Sequence, residues 1–326
     1  MSSLIKILLL SIVSLSDINY DFIFHHYQNE FKKNYSMEEY NLKFVNFVNN
    51  LKYSFEIHQQ NKNYLFGVNQ YSDMGHEEYK QKIQKQGYLG RKSFYGNSCH
   101  SMVYENLSIP DSINWVEKNK VTTVKNQGKC GSCWAFSTTG AVESANAIMS
   151  NKLISLSEQE LVDCSTGYGN MGCNGGMMDY AFQYIINNGI CSEDDYPYTA
   201  SDDTCDSSSC TSVVSISNCY DVPSFNELAL KEAVSKGPVS VAIEADSRVF
   251  QLYNGGVITS GLCGTNLDHG VLIVGYGEEN ETPYWLVKNS WGSTWGENGY
   301  VKIERTDSTH TMGVCGIAIE PSYPEV

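Results

Sequence analysis

The chain has 326 residues, with 22 basic and 37 acidic residues, a net charge of −15 and 41% hydrophobic residues. This length allows one large domain or two modest ones, and the composition argues against a wholly disordered chain. The negative charge argues against nucleic acid as a partner, because phosphate binding needs clustered lysine and arginine. Eleven cysteines are more than a reduced cytosolic protein usually carries, which favours the secretory route.

The first residues are typical of a signal peptide. The apolar run ILLLSIVSL follows Lys6, and small residues stand at Ser14 and Ser16, which predicts a signal peptide over residues 1–16. The run is too short to span a bilayer, and no later stretch reaches 18 continuous apolar residues. We therefore expect a mature protein without membrane association, located in the lysosome or secreted.

Residues 17–108 are predicted to form a separate helical unit. Ser36 and Glu39 have the spacing of a capping box. Apolar residues then recur at intervals of three or four positions, as on one face of an amphipathic helix: Tyr40, Phe44, Phe47, Leu51 and Phe55.

The remainder of the chain shows helical patterns first and strand patterns later. Capping pairs predict short helices that begin at Ser157 and Ser224, and helical spacing predicts another from Met178 to Ile185. Four β-branched or aromatic runs then alternate with Gly, Asn and Pro, namely VSVAIEA, GVLIVGYG, PYWLVKNS and GYVKIER. This order predicts an α+β fold whose two halves differ in character.

The stretch QGKCGSCWAF is the strongest candidate for a reactive site. If a helix begins at Ser132, Cys133 lies in its first turn, where free N–H groups and the helix dipole favour a nucleophilic thiolate. The side-chain amide of Gln127 and the backbone N–H of Cys133 could both donate to a developing oxyanion. Taken alone, however, the Cys-x-x-Cys spacing also fits a redox pair or half of a zinc site.

The surrounding residues resemble the active-site segment of papain-like cysteine proteases. The family signature C-G-[SA]-C-[WY] is matched by Cys130, Gly131, Ser132, Cys133 and Trp134. The resemblance implies a helical lobe and a β-barrel-like lobe, with the active site in the cleft between them. It also implies a peptidase domain over residues 109–326, in which Cys133 is the twenty-fifth residue.

The N-terminal unit resembles prosegments of the cathepsin L type. Their E-R-F-N-I-N motif is matched, with Lys for Arg and with departures at Ser54 and His58, by Glu39, Lys43, Phe47 and Asn50. Their G-N-F-D motif is matched, with Tyr for Phe, by Gly67, Asn69, Tyr71 and Asp73. The resemblance implies that residues 17–108 are a prosegment that inhibits the enzyme and templates its folding.

A thiol nucleophile needs a general base, which is usually a histidine oriented by a third group. Only His269 and His310 of the seven histidines follow residue 109. His310 lies in a polar stretch, whereas His269 begins an apolar strand, where an unpartnered imidazole would be costly. The resemblance of LDHGVLIVGYG and WLVKNSWGSTWGENGY to family signatures implies that His269 is the base, that Asn289 orients its ring and that Trp291 shields their hydrogen bond.

The resemblance also implies a pocket for the substrate residue second from the scissile bond. Its walls would be Met177, Met178, Ala242 and Leu267, with Asp268 and Trp291 also in the substrate-binding set. Gly175 and Gly176 would offer backbone hydrogen bonds to extended substrate. The floor would be Glu320, where cathepsin L has a small residue. A carboxylate there would pair with arginine, so we expect Arg as well as Phe or Leu to be accepted, unless Glu320 turns to solvent.

The family spacing implies three disulfides, which are Cys130–Cys173, Cys164–Cys205 and Cys263–Cys315. Cys191, Cys210 and Cys219 have no partner in that pattern, and we expect one further bridge and one free thiol among them, while Cys99 lies in the prosegment. A disulfide at Cys130 would remove the redox and zinc interpretations. Sequons for N-glycosylation stand at Asn34, Asn106 and Asn280.

Together these features predict a monomeric cysteine endopeptidase, made as a zymogen and activated in acid, that acts through a thiolate–imidazolium pair. No cofactor and no metal are expected. The expected partners are protein and peptide substrates, the chain's own prosegment and cystatin-type inhibitors. The alternative is a catalytically inactive relative that acts as a binding or structural protein, which would require the loss of Cys133, His269, Asn289 or Gln127.

Overall fold

The computed structural model describes residue 15 and residues 18–65, 67–84, 87–90, 99–208 and 210–326. The predicted signal peptide, apart from Leu15, lies outside the described residues. Within the described part of the chain, no helix is long and apolar enough to cross a membrane.

Three helices form the N-terminal unit, namely α1 (Tyr20–Glu30), α2 (Met37–Gln60) and α3 (His76–Gln84). The predicted capping box starts α2: the Glu39 N–H donates to Ser36 Oγ, and the Ser36 N–H donates to the Glu39 carboxylate. Of the predicted apolar face of α2, Phe47 and Leu51 are fully buried, while Tyr40 remains 38% exposed. The two buried residues pack with Phe24, Tyr27 and Val68 into a core separate from that of the rest of the chain.

The helices of the larger unit are α4 (Cys133–Ser150), α5 (Glu158–Cys164), α6 (Met178–Asn188), α7 (Glu227–Lys236) and α8 (Arg248–Gln251). Short 3₁₀ turns cover Ser165–Tyr168, Gly172–Asn174 and Val314–Gly316. Ser157 caps α5 as predicted. The predicted cap at Ser224 is wrong, because the Asn226 side chain accepts the Ala229 N–H and starts α7 two residues later.

Nine strands form one mixed sheet. They are β1 (His100–Ser101), β2 (Ile113–Asn114), β3 (Asn218–Asp221), β4 (Val239–Ile243), β5 (Val257–Ile258), β6 (His269–Glu279), β7 (Thr282–Lys288), β8 (Tyr300–Glu304) and β9 (Ser322–Glu325). The order is β1-β3-β9-β4-β6-β7-β8-β5, with β2 paired to β6. The β1–β3 and β5–β8 pairs are parallel and the others antiparallel. The predicted sequence of helices followed by strands is present.

Close packing of α4 on β6 positions the candidate site. A Cβ on Gly140 of α4 would lie 2.8 Å from Leu272 of β6, and one on Gly270 would lie 3.3 Å from the backbone of Trp134. Glycine at both positions therefore lets the start of the helix approach the start of the strand, which brings Cys133 next to His269.

Five disulfides cross-link the chain. Three of them join Cys130 to Cys173, Cys164 to Cys205 and Cys263 to Cys315, the pairs that the resemblance implied. The other two are Cys191–Cys210 and Cys99–Cys219. The expectation of one further bridge and a free thiol is therefore wrong: among the described cysteines, the one that forms no disulfide is Cys133.

Candidate active site

Cys133 is the first residue of α4 and is completely buried. The N–H of Gly270 donates to its Sγ at 3.3 Å. This hydrogen bond and the positive end of the helix both stabilise negative charge on the sulfur. Cys130, the other cysteine of the motif, is held in a disulfide, so the Cys-x-x-Cys does not present the two free thiols that a redox pair or a zinc site would need.

His269 is oriented by Asn289 at the first residue of β6. Its Nε2 lies 2.8 Å from Asn289 Oδ1, and the same oxygen accepts the N–H of Ser290. An oxygen acceptor at this position favours the tautomer with the proton on Nε2. Nδ1 is buried and has no hydrogen-bond partner among the described residues, which leaves its lone pair available to receive the proton of the neighbouring thiol.

An aromatic layer covers the His269–Asn289 pair. The Trp291 ring stacks on the His269 ring with centroids 4.7 Å apart and an interplanar angle of 28°. Tyr71 and Tyr79 of the N-terminal unit contact Trp291 edge-on at 5.5 and 6.3 Å. The predicted prosegment therefore lies over the aromatic layer that covers the His269–Asn289 hydrogen bond.

Ser290, which the sequence pattern did not indicate, holds the side chain of Gln127, the candidate oxyanion donor. Ser290 Oγ donates to Gln127 Oε1 at 2.7 Å, and Gln127 Nε2 donates one hydrogen to the Cys130 carbonyl at 3.1 Å. The backbone N–H of Gln127 also donates to the Ser290 carbonyl. Ser290 directly follows Asn289 in the sequence, and this position could have indicated its importance. Its hydrogen bond links Gln127, the candidate oxyanion donor, to the segment that carries Asn289.

The covered site favours a neutral pair. Burial raises the pKa of Cys133 to about 12, although hydrogen bonds from the Gly270 and Trp134 backbone oppose the shift. Burial likewise lowers the pKa of His269 to about 4, against the effect of Asn289. Burial therefore acts against both charges of the predicted thiolate–imidazolium pair while the site is covered, because the charged forms lack the water that would solvate them.

A short piece of the N-terminal unit lies in the cleft. The Gly176 N–H donates to the Gly87 carbonyl at 2.7 Å, and the Leu89 N–H donates to the Gly176 carbonyl at 3.2 Å. Gly87 has φ of +86°, and a Cβ there would lie 2.5 Å from the Gly131 carbonyl oxygen, so glycine is required. The backbone groups predicted to bind substrate at Gly176 are thus used by the chain itself.

The backbone groups of Gly175, in contrast to those of Gly176, form hydrogen bonds within their own loop in this structure. Its N–H donates to the Gly172 carbonyl at 3.2 Å, and its own carbonyl accepts the Met171 N–H at 2.7 Å. Both backbone groups are therefore used within the loop. A Cβ on Gly175 would lie 2.5 Å from the Gly87 carbonyl oxygen. This close approach leaves no room for a side chain at position 175.

Tyr88 pairs with Gly176 and reaches Glu320, one of the predicted pocket residues. Met177, Met178 and Ala242 are buried, and Leu267 is half-buried. The Tyr88 hydroxyl donates to the carboxylate of Glu320, so Glu320 faces this part of the cleft in the structure. Asp268 has a different environment: its carboxylate accepts the N–H groups of Ala245 and Asp246, and burial raises the pKa of Asp268 to about 7.

A cluster of buried charged residues lies behind the site, and the sequence did not indicate it. Lys125 Nζ contacts Glu143 at 3.1 Å and Glu158 at 2.6 Å, and both carboxylates are about 1% exposed. Burial opposes the charge on Lys125, but the two carboxylates raise its pKa above the ordinary value. Burial raises the pKa of Glu158 to about 8. Lys288, next to Asn289, reaches the cluster through Thr122.

The comparisons with known proteins agree with this geometry. The family described as papain family cysteine protease matches residues 109–325, and the one described as cathepsin propeptide inhibitor domain (I29) matches residues 24–79. Cysteine proteinase RD21A of Arabidopsis thaliana is 50% identical over 295 residues, 89% of this chain and 62% of the relative. Thiol protease SEN102 of Hemerocallis sp. is 50% identical over 88% of this chain and 81% of the relative. The chain thus spans less than two thirds of RD21A.

Two solved proforms have the same fold. A recombinant stem bromelain precursor superposes with a TM-score of 0.85 at 37% identity and covers 95% of this chain and 99% of that chain. Digestive procathepsin L 3 of Tenebrio molitor larval midgut superposes with a TM-score of 0.82 at 40% identity, over 95% and 100% of the two chains. The predicted α+β fold with a helical prosegment is confirmed.

Proposed function

Because the chain belongs to the papain family of cysteine proteases, we propose that it is a cysteine endopeptidase made as an inhibited zymogen. The observation that carries the proposal is the buried constellation of Cys133, His269 and Asn289, with Gln127 fixed beside it. The alternative of an inactive binding protein has no support in the site, since each of these four residues is present. Between Cys164 and Cys205 the sequence has no long insertion and no histidine pair that would restrict the cleft to chain ends.

The proposed reaction follows from these positions. Cys133 Sγ attacks the peptide carbonyl, and its proton is held on His269 Nδ1. Gln127 Nε2 and the Cys133 N–H donate to the tetrahedral oxyanion. As the C–N bond breaks, His269 gives the proton to the leaving amine. Water, deprotonated by the same imidazole, then hydrolyses the thioester and regenerates the thiol.

Removal of the prosegment would convert the neutral pair into the reactive one. In the covered site, burial disfavours both the thiolate and the imidazolium. When Tyr71 and Tyr79 leave Trp291, water returns to the cleft, and the helix dipole and the Gly270 N–H then favour the charged pair. Inhibition by the prosegment is thus both steric and electrostatic.

The whole proposal is tested with Phe-Arg and Arg-Arg fluorogenic dipeptides, assayed from pH 4 to 7 after acid activation. We expect hydrolysis that is lost when Cys133 is alkylated. No hydrolysis of either substrate, with Cys133 unreactive toward iodoacetamide, would favour the binding-protein alternative. The substrates are expected to be proteins and peptides in a lysosome-like or extracellular compartment, and cystatin-type proteins are expected as inhibitors of the monomer.

Acid activation is proposed to depend on Asp73. This carboxylate is 3% exposed and accepts hydrogen bonds from Tyr27, Tyr35 and Lys33 at 2.9, 2.7 and 3.0 Å. It therefore connects α1, the loop before α2 and the loop that contacts Trp291. Protonation of Asp73 would remove the ion pair with Lys33 and loosen the core of the prosegment.

Asp73→Asn keeps the size of the side chain but removes its charge. We expect the variant zymogen to activate at pH 6 to 7 about tenfold faster than the wild type, because a buried charged hydrogen bond is lost. The measurement is the half-time of activation as a function of pH. Glu78→Gln removes the exposed Lys43–Glu78 pair and should change little. An unchanged pH dependence in Asp73→Asn would rule out this role.

Glu320 is proposed to accept arginine in the specificity pocket. In the zymogen, its carboxylate already binds a polar group that enters the pocket, the Tyr88 hydroxyl. A guanidinium would form a stronger, bidentate interaction at the same place. Phe and Leu would pack against the buried methionines, which adapt to varied apolar shapes.

We therefore expect Glu320→Ala to lower kcat/KM for Arg-Arg substrates about 10- to 100-fold, the range for losing hydrogen bonds to a charged group. Hydrolysis of Phe-Arg should change less than twofold. Glu320→Gln, which keeps the shape and removes the charge, should resemble Glu320→Ala. Equal losses on both substrates would mean that Glu320 supports the fold rather than specificity.

A further inference from the structure

The Cys99–Cys219 disulfide joins the end of the prosegment to the peptidase domain. The two cysteines are 120 positions apart in the chain, and their Cα atoms are 4.8 Å apart. Cys99 lies before the predicted junction at Ser108 and Ile109, whereas Cys219 lies within β3. We call residues 99–107 the tethered segment.

The start of the tethered segment pairs with the sheet of the peptidase domain and buries two side chains against it. Its strand β1 adds to the sheet in parallel with β3, and the Met102 N–H donates to the Asp221 carbonyl at 2.8 Å. Cys99 and Met102 are 5% and 7% exposed and belong to the main core, not to the core of the prosegment helices. The segment thus packs like a part of the enzyme.

A buried carboxylate holds the end of the segment. Glu232 of α7 is 1% exposed and lies 3.3 and 3.5 Å from the N–H groups of Glu105 and Leu107. Lys236 contacts its other oxygen at 3.1 Å. Removal of the segment would expose the edge of β3 and leave Glu232 with fewer donors, both of which are unfavourable.

The position of the disulfide limits how the inhibitor can leave. A cut at the predicted junction alone would leave the inhibitory helices attached through Cys99, at an effective concentration on the order of millimolar. Reduction of the disulfide is hindered, because Cys219 is 1% exposed and exchange requires access of an attacking thiolate to sulfur. Hydrolysis of a peptide bond before Cys99 consumes one water and leaves the disulfide unchanged.

We infer that the active enzyme retains the tethered segment, bonded to Cys219, after the inhibitory helices have been released. The inference rests on the proposed zymogen maturation and extends it. If the junction is also cut, the segment remains as a short second chain. If the junction is not cut, it remains as an N-terminal extension of the peptidase domain.

The test is the intact mass of the acid-activated enzyme, alkylated at Cys133 and measured with and without reduction. Without reductant, we expect the mass to include a peptide that contains Cys99. With reductant, that peptide either separates or stays as the N-terminal end of one chain. A non-reduced active enzyme that lacks Cys99 would overturn the inference.

Two double variants provide matched controls. In Cys99→Ser/Cys219→Ser, a segment cut at the junction should separate from the enzyme under denaturing conditions without reductant. In Cys191→Ser/Cys210→Ser, the same segment should stay bonded to Cys219. Hydrolysis of Phe-Arg is measured on the same samples, so a failure of the proposed activity is seen separately from the mass. A zymogen that does not process itself is cut with added pepsin, and retention or loss of the Cys99 peptide then decides in the same way.

Discussion

Replacing Cys133 with alanine should lower kcat/KM for Phe-Arg substrates on the order of 10⁶-fold, the size of loss seen when a covalent enzyme loses its nucleophile. Alanine cannot form the thioester, and the remaining donors stabilise an oxyanion that no longer forms on the enzyme. Although the side chain is buried beside the Gly270 N–H, the change removes only one sulfur atom and should leave the fold intact. The measurement is the hydrolysis rate of the processed variant.

This variant cannot process itself, so immobilised wild-type enzyme must cut it and then be removed. His310→Ala provides the control, because His310 is exposed and should be dispensable. His269→Ala should behave like Cys133→Ala. Substantial hydrolysis by processed Cys133→Ala, above that of a mock treatment, would mean that another group is the nucleophile.

Replacing Lys125 with methionine should lower the free energy of unfolding by about 3–5 kcal/mol, the cost of breaking a buried ion pair from one side. Lys125 is shared by two buried carboxylates, Glu143 and Glu158, and each would lose its cation. Burial acts to raise the pKa of Glu143, but Lys125 helps to hold that pKa below its usual value of 4.5. The stability that Lys125 gives through Glu143 is therefore present above pH 4.5 and is lost as the pH falls. The loss should therefore be larger at pH 7 than at pH 4.

Chemical denaturation of the zymogen in the Cys133→Ala background measures this effect without self-digestion. Lys152→Met removes the same charge at an exposed position and should change stability by less than about 0.5 kcal/mol. A loss below about 1 kcal/mol for Lys125→Met, or one that is greater in acid, would contradict the expected role of the cluster.

Local motifs were sufficient to predict the α+β order of elements and to single out Cys133 and His269 as the candidate nucleophile and base. Cys133 stands at the start of a helix and His269 at the start of a strand, and both signals lie within a few residues. The disulfide between Cys99 and Cys219 could not be found this way, since its partners are 120 positions apart and neither belongs to a short motif. Register along β1 and β3 brings them together.

The charge cluster and the pocket show the same limit. Lys125, Glu143 and Glu158 come from separate elements, and nothing local shows that they share one buried site. Tyr88 could not be predicted to meet Glu320, because that contact depends on how the prosegment crosses the cleft. The predicted cap of α7 was wrong for a local reason: two candidate cap residues, Ser224 and Asn226, lie two positions apart and compete for the start of the helix.

The neutral state of the covered site constrains how protons take part in activation. In the covered site, burial raises the pKa of the thiol and lowers that of the imidazole, so the favoured form holds one titratable proton, on sulfur. A thiolate–imidazolium pair holds the same number, on nitrogen. Uncovering the site then moves a proton within the pair and takes up none from solution, so by linkage the catalytic pair adds no pH dependence to prosegment release. We therefore expect acid to act through carboxylates outside the catalytic pair, and Asp73 is the one proposed above.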